Sequence, residues 1–399
     1  YFNEALERGW WDGVDGPAAD EPPRVLIEGG GNTLRRARGG KNALLPTLWE
    51  KLKLIVMIDF RMNETALYAD YFLPAAQHYE KIAFALPGAH VLNLTFSDQA
   101  AKPAGEAKSE WDLFSALLAK MAERAAARGI AEIRDARGNT KRYDALVDEY
   151  TMNGHFVNAE RLADEQVRDS ALAGTLPPRT TLETFREKGH VRFIDWGLTP
   201  LALSQASPLK ADETHSPFRD HVERGVPYPT YCRRAQFYID HEWFLEAGEE
   251  MPTHKPNPRM GGDYLLGLSS GHSRWSVHSM NHTNEVVLGT HRGEPTALVN
   301  PDDAKARRVA DGDLIRIFND LGSFPVRARL APSVRPGQIV SYNGWDGSQY
   351  RGWGGANEIE PGMVKWIGFA GGYGHLAYLS TNWQPVPADR WVRCDFESV

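Results

Sequence analysis

The sequence is poor in sulfur: its 399 residues include only Cys232 and Cys394, far apart in the chain. Two remote cysteines cannot furnish the ligands of an iron–sulfur cluster or a zinc knuckle, and they define no disulfide framework, so two unpaired, buried thiols are expected. Long apolar runs are missing as well. The stretch around Leu54 to Ile58 is the longest, far below the roughly 20 residues that a membrane-spanning helix needs. Positive charge is not in excess: 45 Lys and Arg against 52 Asp and Glu leave a formal charge of -7. A global basic field that would hold nucleic acid irrespective of its sequence is thereby excluded. No G-x-S-x-G turn is present, so serine, histidine and aspartate carry no signal of nucleophilic hydrolysis. No internal repeat spaces the 12 tryptophans onto one face, which favours packing over a carbohydrate platform.

What is present fits a globular chain. A content of 42% hydrophobic and 24% charged residues over this length is enough for two or more cores. The chain begins at Tyr1 rather than Met, with a strand pattern soon after, and is read as a fragment of a longer protein. Residues 24–31 read as a buried strand running into a glycine turn, with Leu44, Leu45, Leu48 and Leu52 recurring at helical spacing and a second strand over Leu54 to Asp59. Strand, glycine turn, helix and strand predict a βαβ unit with a parallel sheet, and Asp70 to Leu73 supplies a third strand stopped by Pro74. Ser109 opens an amphipathic helix with Trp111, Phe114, Leu117, Leu118 and Met121 on one stripe and Gly129 as its stop. After Gly262 strand-like runs dominate, at 264–268, 297–299, 314–318, 324–330 and 339–342. Asn319 to Gly322 has hairpin-turn composition, and Asn300-Pro301-Asp302-Asp303 is a helix start.

Two places could carry chemistry. Gly29-Gly30-Gly31-Asn32, at the carboxyl end of a strand, lets backbone approach a phosphate, although a glycine triplet also serves as a plain flexible turn. Asp59, at the end of the next strand, stands where a carboxylate binds ribose hydroxyls or a guanine edge, or else caps the following turn. The polar run from Ser269 to Ser279 offers hydroxyls, His272, Arg274 and His278 to an anionic ligand; the alternative is a solvated loop. On a helix, His278 and His282 would be spaced to share a metal, but no third ligand is apparent.

Three segments resemble the molybdopterin-dinucleotide oxidoreductases related to dimethyl sulfoxide reductase and respiratory nitrate reductase. The first is Gly30-Gly31-Asn32, Asp59, Glu64-Thr65-Ala66 and Ala69-Asp70-Tyr71-Phe72-Leu73-Pro74-Ala75 with Glu80-Lys81, similar to the family's D-x-x-x-x-E-T-A-x-x-A-D-x-x-L-P passage. The second is Gly105 to Trp111. The third joins His272 to Ser279 with Asn300 to Ala304 and Ala310 to Asp313.

The resemblance implies an α/β cofactor domain, a parallel sheet with flanking helices, followed by a β-rich double-psi barrel. The expected organisation is an α/β molybdopterin-dinucleotide-binding domain over 1–130, a connecting region with little core over 131–260, and a dinucleotide-binding β-barrel over 261–399. It implies a molybdenum bis(molybdopterin guanine dinucleotide) cofactor, gripped by Gly31, Asn32, Asp59, His272, Arg274, Ser276, His278, Ser279 and Asn382. No catalytic residue or metal ligand is assigned to this chain, because the family's molybdenum ligand and its 4Fe-4S cluster motif belong to an amino-terminal part lying upstream. Shorter similarity, at 274–279, 318–323 and 371–375, points to the ethylbenzene and dimethyl sulfide dehydrogenases, with selenate, chlorate and nitrate reductases as the alternative. That branch implies a periplasmic heterotrimer with an iron–sulfur beta subunit, a haem b gamma subunit and a small-molecule substrate. A stand-alone nucleotide-binding or interaction module is the competing expectation from another class.

Overall fold

A computed structural model describes residues 23–85, 92–134, 138–195, parts of 209–254, 260–361 except 275, 277, 280, 281 and 290–292, the short strands at 370–371 and 377–378, and 391–399. The first unit is a parallel sheet in the order β1 (Val25–Gly29), β2 (Leu54–Asp59), β3 (Tyr71–Pro74). Its registers pair Ile27 with Val56 and Ile58 with Leu73, so the carboxyl ends of all three strands lie along one edge. Between β1 and β2 the chain forms two short helices, α1 (Thr33–Arg36) and α2 (Gly40–Thr47). The leucine pattern predicts one helix through Leu52. Instead Pro46, which lacks an N–H, lies close to the end of α2, and the last turn becomes a 3₁₀ helix at Trp49–Lys51. Leu34, Trp49 and Ile55, with Leu44, Leu45 and Leu48, form the core beneath the sheet.

The described residues of 83–85, 92–134 and 138–195 build a second body. Strands β4 (Ala83–Ala85) and β5 (Asn93–Ser97) precede helix α3 (Glu110–Ala127), whose N-cap Ser109 accepts the Asp112 N–H. Helices α4 (Ala159–Leu172) and α5 (Leu182–Lys188) follow, and β6 (His190–Arg192) joins β5 at the edge of an antiparallel sheet. Val167, Leu176, Phe185 and Val191 are buried against Phe84, Leu94 and Phe96. The segment expected to have little core thus has one, shared with strands from the preceding region. Its apolar residues are too widely spaced in sequence to reveal that shared core.

The third unit is a closed six-stranded barrel built from β7 (Leu266–Ser269), β8 (Thr296–Val299), β9 (Leu314–Phe318), β10 (Ser323–Leu330), β11 (Gln338–Ser341) and β12 (Val392–Ser398). Around the ring the order is β8, β10, β9, β12, β7, β11, with β8–β10 and β7–β11 parallel and the other pairs antiparallel. Side chains alternate across each stave, so Ile315, Ile317, Phe324, Val326, Ile339, Val392 and Phe396 fill the interior. A fully buried side chain of this size contributes about 1.5–3 kcal/mol, which makes this the chain's principal core. The hairpin between β9 and β10 closes where predicted, with the Asn319 N–H donating to the Gly322 carbonyl. After β8, Asn300 caps helix α6 (Pro301–Ala306), accepting the Asp302 N–H at 2.8 Å while its amide donates to the Val334 carbonyl at 2.7 Å.

Candidate functional site in the cleft between the sheet and the barrel

Gly31 and Asp59 stand at the carboxyl edge of neighbouring parallel strands, where ligands of open α/β sheets bind. Asn63 joins them: its amide donates to the Gly31 carbonyl at 2.8 Å and to Asp59 Oδ2 at 2.7 Å. Asp59 Oδ1 accepts the Phe60 N–H at 2.7 Å, so both carboxylate oxygens are occupied by the turn and the side chain is buried. Of the two readings of Asp59, turn capping is the one these bonds perform. Gly30 turns at φ +65°, a left-handed conformation, and at Gly31 a Cβ would run into the Glu28 carboxylate, which itself caps Thr33. Asn32 is buried and committed elsewhere: Oδ1 accepts the Thr65 N–H and hydroxyl, and Nδ2 donates across the domains to Asp346 Oδ1 at 2.8 Å.

That last bond is one of several between the edge of the sheet and a strap at 346–360 that follows β11. Arg35 Nε lies 3.4 Å from Asp346 Oδ1. Burial pulls the Arg35 guanidinium below its ordinary pKa, an effect that Asp346 opposes. Glu64 accepts the Gly347 N–H at 2.8 Å and pairs with Lys41 at 3.1 Å; Lys41 also donates to the Trp353 carbonyl and lies 3.8 Å from Glu358. Burial raises the Glu358 pKa, with Lys41 pulling the other way. Arg38 pairs with Glu360, whose carbonyl accepts the Gly39 N–H. Close approach depends on Gly347, since a Cβ there would strike the Glu64 carboxylate.

Beside this seam lies a cleft of about 260 Å³, lined on the α/β side by Arg35, Arg36 and Arg38 and on the barrel side by Ser270, His278, Ser341 and Asn343. The polar run therefore reaches the cleft through Ser270 and His278. His272 is exposed and stacks edge-on against His278, with ring centroids 4.3 Å apart. Ser276 donates to the His278 carbonyl, and Ser279 is held by Arg61. Arg274 is exposed, and of the two residues expected to converge on an anionic group, His278 lines this cleft. The guanidinium groups at the cleft come from the run Arg35-Arg36-Ala37-Arg38. A signal for them existed in the sequence: three arginines directly behind a glycine turn.

His282 is not paired with His278 across a helix. It is buried and stacks on Trp345, ring centroids 4.2 Å apart, with its pKa lowered by burial, while His278 sits in a turn at φ 52°. Among the described residues no group of His, Cys, Asp and Glu is arranged to hold a metal ion. Asn382 and most of 371–375 lie outside the described residues.

The donor set suits a particular kind of ligand. Arg36, together with Arg35 and Arg38, which are paired with Asp346 and with Glu360 of the cleft wall, and two hydroxyls form a donor set suited to phosphate oxygens. Asn343 Oδ1, buried without a hydrogen-bond partner, is an acceptor left for an N–H edge, and unmade bonds of buried polar groups cost about 1–3 kcal/mol. A molecule carrying both an anionic phosphate and a heterocyclic N–H edge satisfies both halves.

Comparisons with known proteins agree in location. Residues 41–120 match the family described as Molybdopterin oxidoreductase and residues 266–367 the Molydopterin dinucleotide binding domain; Ser270, His278, Ser341 and Asn343 of the cleft lie within the second, and Arg35, Arg36 and Arg38 just precede the first. The chain is 32% identical to the respiratory nitrate reductase subunit alpha of Haloferax mediterranei, over 99% of this chain and 41% of that protein. It is 34% identical to the chlorate reductase subunit alpha of Ideonella dechloratans and 33% identical to the dimethylsulfide dehydrogenase subunit alpha of Rhodovulum sulfidophilum, each over 96% of this chain and 40% of the relative. The chain thus spans about two-fifths of the length of these curated relatives. In fold it is similar to acetylene hydratase from Pelobacter acetylenicus, with a TM-score of 0.62 over 94% of this chain and 44% of that one at 16% identity. With residues 41–120 and 266–367 matching these two families, the chain belongs to the molybdopterin oxidoreductases.

Proposed function

We propose that the chain is the cofactor-holding carboxy-terminal part of a catalytic alpha subunit, which grips a molybdenum bis(molybdopterin guanine dinucleotide) between its α/β unit and its barrel. The observation that carries this is the cleft: Arg35, Arg36 and Arg38 line it opposite His278 and the unpartnered Asn343 side-chain oxygen, where the α/β unit meets the barrel. In this reading the arginines hold pyrophosphate, Asn343 accepts from a ring N–H, and Asn382 completes the grip. Gly31 and Asp59 shape the carboxyl edge against which a nucleotide lies. His272, Arg274, Ser276, His278 and Ser279 line the approach to the pterin. The bound group would supply the electron and oxygen-atom chemistry, and this chain's residues bind, orient and shield it.

Several finer assignments belong to the same proposal. The barrel, with two parallel pairs in a closed mixed ring, is assigned the double-psi arrangement. The exposed face of β1, with Val25 52% and Ile27 44% exposed, is assigned to the amino-terminal part of the same subunit, because parallel sheets are covered on both faces. Iron–sulfur beta and haem b gamma subunits and a periplasmic location complete the assignment. The boundary near 260 is kept, whereas the core that Phe84, Leu94 and Phe96 share with Phe185 and Val191 joins the two sides of the one placed near 130. The substrate class is a hydrocarbon or sulfide that is oxidised, or an oxyanion such as nitrate, chlorate or selenate that is reduced. Relatives named for both directions are similar to the chain over the same residues, as expected of parts that hold the cofactor.

The test is pterin dinucleotide and molybdenum per chain in the full-length subunit carrying Arg36→Ala or His278→Ala. A charge-assisted hydrogen bond is worth about 1.5–3 kcal/mol, so the arginine variant loses roughly ten- to a hundredfold in cofactor affinity. Full occupancy of both variants would overturn the assignment.

A further inference from the structure

Ser279 and Arg61 are far apart in sequence, yet the guanidinium of Arg61 closes on this one residue, Nη1 donating to the Ser279 carbonyl at 3.1 Å and Nη2 to its hydroxyl at 2.8 Å. The base of Arg61 is itself fixed, since Asp59 caps the turn through the Phe60 N–H and Asn63 ties that turn to Gly31. On the other side of the same loop, Gly344 brings a bare Cα against the His278 carbonyl at φ +99°, and a Cβ there would collide with that carbonyl. Ser276 donates to the same oxygen, and the Asn343 N–H donates to the Gly271 carbonyl at 3.0 Å. Between these restraints His278 is held at φ 52°, a left-handed conformation uncommon for a residue with a side chain. Its ring lines the cleft and meets His272 at an interplanar angle of 68°.

We propose that Arg61 is a positioning residue: it clasps Ser279 so that the loop's left-handed turn, and with it the His278 imidazole, is presented to the cleft only when the α/β unit and the barrel are docked. This rests on the cofactor reading of the cleft. The fork matters because two oxygens of one residue are held at once, a geometry that fixes both backbone and side chain, whereas an ammonium offers a single point of attachment. The clasp gives the turn following β2 a second task, that of setting a binding residue on the opposite domain.

The experiment compares Arg61→Ala, Arg61→Lys, Ser279→Ala and His278→Ala in the full-length holoenzyme by hydrogen–deuterium exchange of peptides covering 271–282 and by pterin dinucleotide content. Arg61→Ala is expected to speed exchange in that loop on the order of tenfold, the factor one charge-assisted hydrogen bond controls, and to lower pterin content. Arg61→Lys lies between it and the parent, Ser279→Ala shows a smaller change of the same kind, and the conservative variant keeps the proposal testable where Arg61→Ala fails to fold. Unchanged loop exchange in the arginine variants overturns the clasp. Faster exchange with full pterin in Arg61→Ala, while His278→Ala loses pterin, overturns the positioning role. Full pterin in His278→Ala sinks the cofactor reading of the loop, and the positioning role with it.

Discussion

Replacing Lys41 by methionine tests the most buried ion pair of the seam between the domains. The ammonium lies 3.1 Å from Glu64 and 3.8 Å from Glu358, with the lysine side chain 10% exposed and the two carboxylates 3% and 12%. Without the cation, two mostly buried carboxylates are left near each other with no counter-charge between them. Glu64 keeps the Gly347 N–H, and the Trp353 carbonyl loses its donor. Removing one partner of a buried ion pair costs about 3–5 kcal/mol, so Lys41→Met is expected to destabilise the chain by about 4 kcal/mol. For a cooperative unit of roughly 150–250 residues, that is a fall of about 8–16 °C in apparent Tm.

The pH dependence of the loss has a definite sign. Burial already raises the Glu358 pKa, and Lys41 opposes it, so the variant raises it further. A carboxyl whose folded value exceeds its unfolded value favours folding fully below the unfolded value, about 4.3, and that contribution fades as pH rises through the folded value. The gap between parent and variant therefore narrows from about pH 8 to about pH 5, as Glu358 takes up a proton. Lys41→Met/Glu64→Gln removes one surplus charge while keeping an acceptor for Gly347, and should recover about half of the loss. The assay is thermal or denaturant unfolding of the full-length subunit at the two pH values. A Lys41→Met variant within about 0.5 kcal/mol of the parent, or a gap that widens on acidification, would refute the reasoning.

Two further outcomes are expected. Gly347→Ala drives a methyl into the Glu64 carboxylate; it should cost about 1–3 kcal/mol, and Glu64→Ala in the same chain should relieve part of that, as unfolding midpoints of the single and double variants would reveal. Of the two cysteines, both expected to be buried, Cys394 is and Cys232 is exposed; Cys232 should react with a thiol reagent in the native chain, whereas Cys394, inside the barrel with its thiol pushed up to about 12, should react only on unfolding, and mass spectrometry of the labelled peptides separates them.

Much of the fold was legible because its signals are local. Asn300-Pro301, Ser109 and the period-two runs at 314–318 and 324–330 set caps and staves through neighbours a few residues away, and they fall where predicted. The shared core of 83–97 and 167–191 was hidden, since Phe84 and Phe185 meet only after folding. At the site, the sequence located the glycine turn, Asp59 and the His278 loop but not their bonds. Asn32 illustrates why: an amide behind a glycine turn suits a phosphate, yet its partner is Asp346, on the far domain. The arginines that reach the cleft, Arg35, Arg36 and Arg38, come from the α/β side.

The ring of the barrel has a bearing on how the protein is made. β12 is the stave that joins β7 to β9, and of the six it is the last to be synthesised. Until it arrives, β7 and β9 each present an unpaired edge, the template on which chains aggregate. The sheet side of the cleft needs only residues up to Pro74 and is complete long before the barrel side can close. Biosynthesis therefore sets a sequence of events: a half-cradle first, a vulnerable open ring next, and a two-walled cleft only once the final strand is threaded home. A truncation just before Val392 would halt the chain at the middle stage.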